Sequence, residues 1–295
     1  MDSDPLNRFY EPRTASDWDG IKNLREDLLK TRGQWIFRGL PDACWSLVTT
    51  LDQAAGLHRP GGPLTFPRNM IRRLEGGILR AFKRRGTQYL QKTPDDDNVL
   101  EWLALMRHYG APSRLQDWTY SFYIAVFFAL DRSDGEAALW ALDSDWVASR
   151  IKALLGDKIY NRLTVVDRNV ETSKTFTMAF ARRKPIPLAC AVNPYQLNPR
   201  LAAQQGLFLC PGDVAQPFHK NLGALFQTRR PNGKLIKCVI ALDARERKRV
   251  MEELYRMNIT STTLFPGLDG FAHSLEHMMS ALPDVLVPDT FWPER

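Results

Sequence analysis

Cysteine is scarce in this chain: four residues in 295, at Cys44, Cys190, Cys210 and Cys238, with no CxxC pair among them. A zinc ribbon needs thiolates a few residues apart, and a disulfide framework belongs to short, cysteine-dense secreted chains, so neither organises this fold. Long apolar runs are missing too. The longest, Tyr123 to Leu130, falls far below the roughly 20 residues that span a bilayer. There is no GxxxxGK[ST] loop and no GxGxxG turn, which removes P-loop NTPases and Rossmann dehydrogenases. Internal repeats, heptad runs and low-complexity tracts are also absent. The opening Met1-Asp2-Ser3-Asp4-Pro5 is acidic and polar, unlike a signal peptide. The cytoplasm is therefore the expected compartment, and no membrane partner is expected.

What is present is an ordinary globular composition, 44% hydrophobic and 25% charged, long enough for one large domain or two small ones. The formal net charge is +7 and the pI about 9.3. That balance favours an acidic partner: a nucleotide, a nucleic acid or an anionic surface.

Apolar spacing predicts the elements. Ser16 reads as the cap of a helix over 17–30, with Ile21, Leu24, Leu28 and Leu29 on one face. Trp35 to Arg38 reads as a short strand closed by Gly39. Residues 58–66 read as a loop around Pro60-Gly61-Gly62. A basic helix is predicted over 68–91, and another opens near Pro94 with Asp95 to Asp97 at its positive end. Residues 121–130, apolar nearly all round, predict a central helix. Further strands are predicted at 137–143, 186–192, 204–209 and 238–242, and helices at 146–155, 243–257 and 271–282; the pattern over 165–184 is weak. Helices crowd the first half and strands the second, an α+β pattern rather than an alternating one. The expected architecture is a helix-rich N-terminal half packed on a mixed or antiparallel sheet. The expected domain limits are a helical extension over 1–30, the α+β domain over 31–285 and a tail over 286–295.

Four motifs in order carry a family resemblance. They are Trp35-Ile36-Phe37-Arg38-Gly39 followed by Trp45 and Leu47; Glu75 and Phe82 on a helix; His108-Tyr109-Gly110-Ala111-Pro112-Ser113-Arg114-Leu115-Gln116-Asp117-Trp118-Thr119; and Ala203-Gln204-Gln205-Gly206-Leu207-Phe208. A last piece runs from Leu264 to Gly270. Together they resemble the FRG-domain family over roughly residues 30–280. Ser113, Gln116 and Gly267 stand where the family pattern leads one to expect Thr, Leu and Asp.

The family in turn resembles the ADP-ribosyltransferase fold. That resemblance implies an NAD-binding ADP-ribosyltransferase or NAD glycohydrolase, with a role as toxin or defence effector compatible with such chemistry. It also implies Arg38 on the first strand holding the dinucleotide, and the segment from Asp117 to Ser121 framing the nicotinamide ribose. The late strand has Gln204-Gln205-Gly206 where that fold presents a Glu. The alternative function is a non-catalytic module that binds nucleotide or nucleic acid.

The residues themselves suggest roles. An Arg at a strand end is a bidentate phosphate holder or a structural ion-pair partner of Glu75 or Asp117, and Gly39 admits a ligand or another backbone. His108 can act as acid, base or donor, or cap a helix with Gly110. Tyr109 and Trp118 can stack on a ring. Asp117, beside an aromatic, can have a raised pKa, or can hold Arg114 or Arg38 by a salt bridge. Thr119 can bond a ribose hydroxyl or cap the following helix. Glu75 and Asp117 are the carboxylates available for an oxocarbenium-like ribose, although an intrahelical pair with Arg72 or Arg80 would equally explain Glu75. Gln204 and Gln205, alternating on a predicted strand, would put one amide in the pocket, with Asn198 and Arg200 nearby. The His273-Ser274-Leu275-Glu276-His277 segment has zinc-helix spacing but no evident third ligand, so no metal is expected. The basic helix over 68–85 could track phosphates, or form a solvated face.

Overall fold

The computed structural model describes residues 5–31, 33–57, 66–164, 170–196, 198–228 and 230–281, with the side chains of 170–172 and 276–281 left aside. The predicted 58–66 loop, apart from Phe66, and the tail over 286–295 lie outside these residues. The elements run β1 (Glu11–Ala15), α1 (Trp18–Lys30), β2 (Trp35–Leu40), α2 (Thr50–Ala54), α3 (Arg68–Gly86), α4 (Val99–His108), β3 (Gln116–Thr119), α5 (Phe122–Leu130) and β4 (Ala137–Asp143). They continue with α6 (Ser144–Leu155), α7 (Asp157–Thr164), α8 (Val170–Phe180), β5 (Ala189–Val192), α9 (Pro199–Ala203), β6 (Gly206–Pro211) and α10 (Phe218–Gly223). Last come β7 (Leu235–Ile240), α11 (Ala244–Arg256), α12 (Ser261–Leu264) and α13 (Leu268–Ala281). No helix among the described residues is long and apolar enough to cross a membrane.

The fold is α+β around one seven-stranded mixed sheet in the order β1-β7-β4-β2-β3-β6-β5. Among the described residues only β1 and β7 pair in parallel; the other neighbours are antiparallel. Side-chain alternation makes the sheet the middle of three layers. Ala137, Leu139 and Ala141 of β4 enter a core with α1, α5 and α11, while Ala138, Trp140 and Leu142 enter a second core with α4, α6, α8 and α10. Every residue of β4 is buried, as a strand covered on both faces must be.

The helix α5 positions much of this. Ser121 caps it by accepting from the Ile124 amide, and seven of its nine residues are buried. Its backbone lies directly on Gly39. A Cβ there would stand 2.0 Å from the Ala125 carbonyl oxygen and 2.4 Å from the Ala129 nitrogen. The close approach that Gly39 permits is therefore that of another backbone.

Several expectations are corrected. Strands do not gather in the second half: β1 to β4 all lie within residues 11–143. The first thirty residues are not a helical extension, because β1 joins the sheet edge and Trp18, Ile21 and Leu28 of α1 enter the core. Asp17, rather than Ser16, caps α1 by accepting from the Gly20 amide at 2.7 Å. Asn98 caps α4, leaving Asp95 to Asp97 ahead of it. The weak stretch over 165–184 contains α8. The strand expected from residue 204 begins at Gly206; Gln204 closes α9 and Gln205 turns the chain with φ of +46°.

Candidate functional site

The pairing of Phe37 with Thr119 sets β2 beside β3, and a cleft of about 820 Å³ opens over the two strands. Six charged side chains border it. Arg38, Arg107, Arg132 and Arg200 outnumber Asp117 and Asp131.

Arg38 donates from Nη1 to the Asp117 backbone oxygen at 2.5 Å and stands 4.0 Å from Asp117 Oδ2. Its Nε is buried with no hydrogen-bond partner. Burial lowers its pKa to about 10, against the opposing pull of Asp117, so the guanidinium is still charged at neutral pH. Arg107, on the last turn of α4, donates from Nε to Asp117 Oδ2 at 2.7 Å and contacts the same oxygen through Nη2. Oδ1 of Asp117 accepts no hydrogen bond among the described residues. Burial raises the carboxyl pKa, but Arg107, Arg38 and Arg200 outweigh it and hold Asp117 below its ordinary value. The expected raised pKa is thus reversed: proximity to three guanidiniums decides the sign.

Arg200, on α9, lies with its guanidinium 4.6 Å from the centre of the Phe265 ring and makes no hydrogen bond or ion pair among the described residues. Burial lowers its pKa, Asp117 raises it and Arg107 lowers it further. Trp45 borders the same cleft and is 51% exposed.

The remaining candidates divide. Thr119 borders the cleft, but its hydroxyl donates to the Gln204 carbonyl at 2.7 Å and accepts from the Ser121 amide at 3.0 Å. It fixes the turn into α5, whose cap is Ser121. Trp118 borders the cleft yet is buried in the core, its Nε1 donating to Gln116 Oε1 at 2.9 Å, so the ring is not a stacking platform. Gln204 borders the cleft and donates from Nε2 to the Leu264 carbonyl at 3.0 Å. Gln205 does not border it; its carbonyl accepts from the Tyr120 amide in the turn. Asn198 caps α9.

Neither His108 nor Tyr109 borders the cleft. The His108 ring packs edge-on against Tyr109 at 4.8 Å, and its Nδ1 is buried without a partner. Burial, then nearby Arg200, lowers its pKa. Glu75 is a correction as well. It lies in neither the cleft nor an intrahelical pair, but in a buried bidentate ion pair with Arg114, whose Nε donates to Oε1 at 2.5 Å. Arg114 also donates to the Phe180 carbonyl at 3.1 Å, so it braces α3 and α8 rather than Asp117. His273 sits at the cleft margin, with Nε2 3.0 Å from Arg132 Nη2 and 3.6 Å from Asp131 Oδ2. The side chains of Glu276 and His277 lie outside the described residues, among which no group of three or more metal-ligating residues occurs.

Sequence reasoning missed Arg107, Arg132 and the exposed ring of Trp45. Arg107 had a usable signal: a charged residue next to His108, directly after the apolar run Trp102 to Met106.

These features define an α+β chain whose central sheet carries an arginine-lined, anion-attracting cleft. The chain carries an FRG domain, whose family model matches residues 33–137. No curated protein and no solved structure matches the chain. The matched segment supplies Arg38, Arg107, Asp117 and Thr119, while Arg200, Gln204 and Phe265 reach the cleft from beyond it.

Proposed function

We propose that the cleft binds a nicotinamide dinucleotide and that the chain cleaves its nicotinamide–ribose bond, as an ADP-ribosyltransferase or an NAD glycohydrolase. The observation that carries the reading is the pair Arg38 and Arg200. Both border a cleft of nucleotide-accommodating size, about 820 Å³, and both keep N–H donors unused by the protein. Guanidinium donors fit a pyrophosphate, whose oxygens can be met two at a time. Trp45 supplies an exposed ring at the rim for stacking.

Asp117 supplies the charge that the reaction needs. As the C1′–N bond stretches, its electron pair leaves with nicotinamide and positive charge collects on the ribose. A carboxylate kept ionised by Arg107 can stabilise that charge through its unengaged Oδ1. The oxygen of water, or a nucleophile of a target, then completes C1′ and releases a proton.

A second reading is binding without turnover, favoured by the grip of Arg107 on Asp117. Calorimetry with NAD, together with timed nicotinamide release with and without cell extract as target, separates the two. Binding with release supports the enzyme, binding alone supports the second reading, and the absence of both rejects each.

A further inference from the structure

We propose that the exposed face of α3 is a docking surface for duplex DNA, held through its phosphates without regard to sequence. Seven residues of this helix are cations: Arg68, Arg72, Arg73, Arg80, Lys83, Arg84 and Arg85. Its only acid, Glu75, is buried and bound to Arg114. Seven minus one leaves +6 on one helix of a chain whose whole net charge is +7.

The charges are arranged as well as numerous. At 3.6 residues per turn, Arg72, Lys83, Gly76, Asn69, Arg80, Arg73, Arg84 and Gly77 follow one another around an arc of about 140°. That arc holds no acid and no apolar side chain. Arg73, Arg80 and Arg84 are exposed, and neither they nor Arg72 has an ion-pair partner among the described residues. Lys83 alone reaches a carboxylate, Asp96, at 3.4 Å. A merely solvated helix mixes signs and pairs them one turn apart. The helix α11 does so, with Arg249 on Glu246 and Arg256 on Glu253.

Gly76 and Gly77 lie on the same face. A Cβ at either would meet nothing within 4 Å, so packing within the protein does not require them. Alanine would favour the helix more. What two missing side chains do provide is a low point between the arginines, where a phosphate backbone can approach closely.

The occupant follows from the shape and chemistry of the arc. It carries no aromatic ring, which single-strand binders use to stack bases. Arg73 to Arg84 extends about 16 Å along a straight axis, suited to a rod-like duplex. B-form DNA admits a helix to its major groove, whereas the A-form RNA groove is too narrow.

The test is fluorescence anisotropy of the full chain with a labelled duplex DNA of about 20 base pairs across a salt series. Affinity should fall with salt at a log–log slope of about −3, as expected for three to four neutralised phosphates. The variant R73E/R80E/R84E should bind at least about tenfold more weakly and with a flatter slope. The variant G76A/G77A should melt a few degrees higher yet bind DNA several-fold more weakly, a split that a purely structural role would not produce. Absence of duplex binding at low salt, or unchanged affinity in both variants, overturns the proposal. So does equal or tighter binding to single-stranded DNA, duplex RNA, a sulfated polysaccharide, an acidic peptide or anionic vesicles.

Discussion

Arg38 reaches across from β2 to the backbone oxygen of Asp117, 2.5 Å away on β3, and so ties the two strands together at the floor of the cleft. One side chain thus supports the site and faces its ligand. Nη2 makes no hydrogen bond among the described residues, so that end of the fork is left for an anion. Arg38→Ala should weaken NAD binding about ten- to a hundredfold, the worth of charged hydrogen bonds lost from a partly buried site. Arg38→Lys should not restore it, since a point charge cannot replace a planar fork. Calorimetry of the three proteins checks both statements.

Asp117 should act on rate more than on binding. Asp117→Asn should lower nicotinamide release about a hundredfold with a smaller change in dissociation constant, because the ribose charge develops only as the bond breaks.

The pH dependence has a definite sign. The folded pKa of Asp117 lies below its ordinary value, so its contribution to stability is present above the unfolded pKa and is lost as pH falls through the folded one. Nicotinamide release should therefore be flat on the acid side down to about pH 5. Arg107→Gln removes the closest cation and leaves burial to dominate, so the acid limb of both activity and stability should move to higher pH. Rate profiles and acid-unfolding curves of the two proteins measure the shift.

Gly39→Ala should be among the most damaging single substitutions. Its methyl would collide with the backbone of α5 at Ala125 and Ala129, and backbone cannot swing aside as a side chain can. A loss of about 3 kcal/mol or more is expected, at the upper end of overpacking effects. Urea unfolding checks it, with Gly77→Ala, on open surface, as the control.

Glu75→Ala should destabilise by about 3–5 kcal/mol, because it leaves the Arg114 guanidinium buried without its carboxylate. NAD affinity of the folded fraction should be unchanged, since Glu75 lies outside the cleft. An affinity loss beyond the loss of folded protein would put Glu75 back among the site residues.

How much of this was readable in advance depends on what each stretch of sequence buries. The apolar run after Ser121 and the strand over 137–143 were legible because buried elements are written in apolar residues. The strand Glu11–Ala15 was not, because an edge strand with three exposed residues has no hydrophobic alternation to show. Gln204 and Gln205 looked extended by their position before Leu207 and Phe208. Only the left-handed φ of Gln205, which sequence does not display, turns them into the end of a helix.

The cleft divides in the same manner. Arg38, Asp117, Thr119 and Arg200 were found because motif or context marked them. Their partners were not, since ion pairing joins residues far apart in sequence: Glu75 with Arg114 rather than with its own helix, and Arg107 with Asp117. Much of the long motif after His108 proves to be wiring. Ser113 bonds the Leu103 carbonyl at 3.1 Å, and Gln116 bonds the Val48 carbonyl at 3.0 Å.

The parallel pairing of β1 with β7 reaches into the order of assembly. Glu11 meets Ile236, so the first strand has to wait for nearly the whole described chain to be synthesised before its partner exists. At about 5–20 residues per second that interval is on the order of ten to forty seconds on the ribosome. During it β2, β3 and β4 can pair with one another around α5, while the segment from Glu11 to Ala15 waits. Its polar composition suits that wait: a strand written as Glu-Pro-Arg-Thr-Ala is a poor template for aggregation. The same few residues that hid from hydrophobic pattern reading are thereby kept harmless until the edge can close.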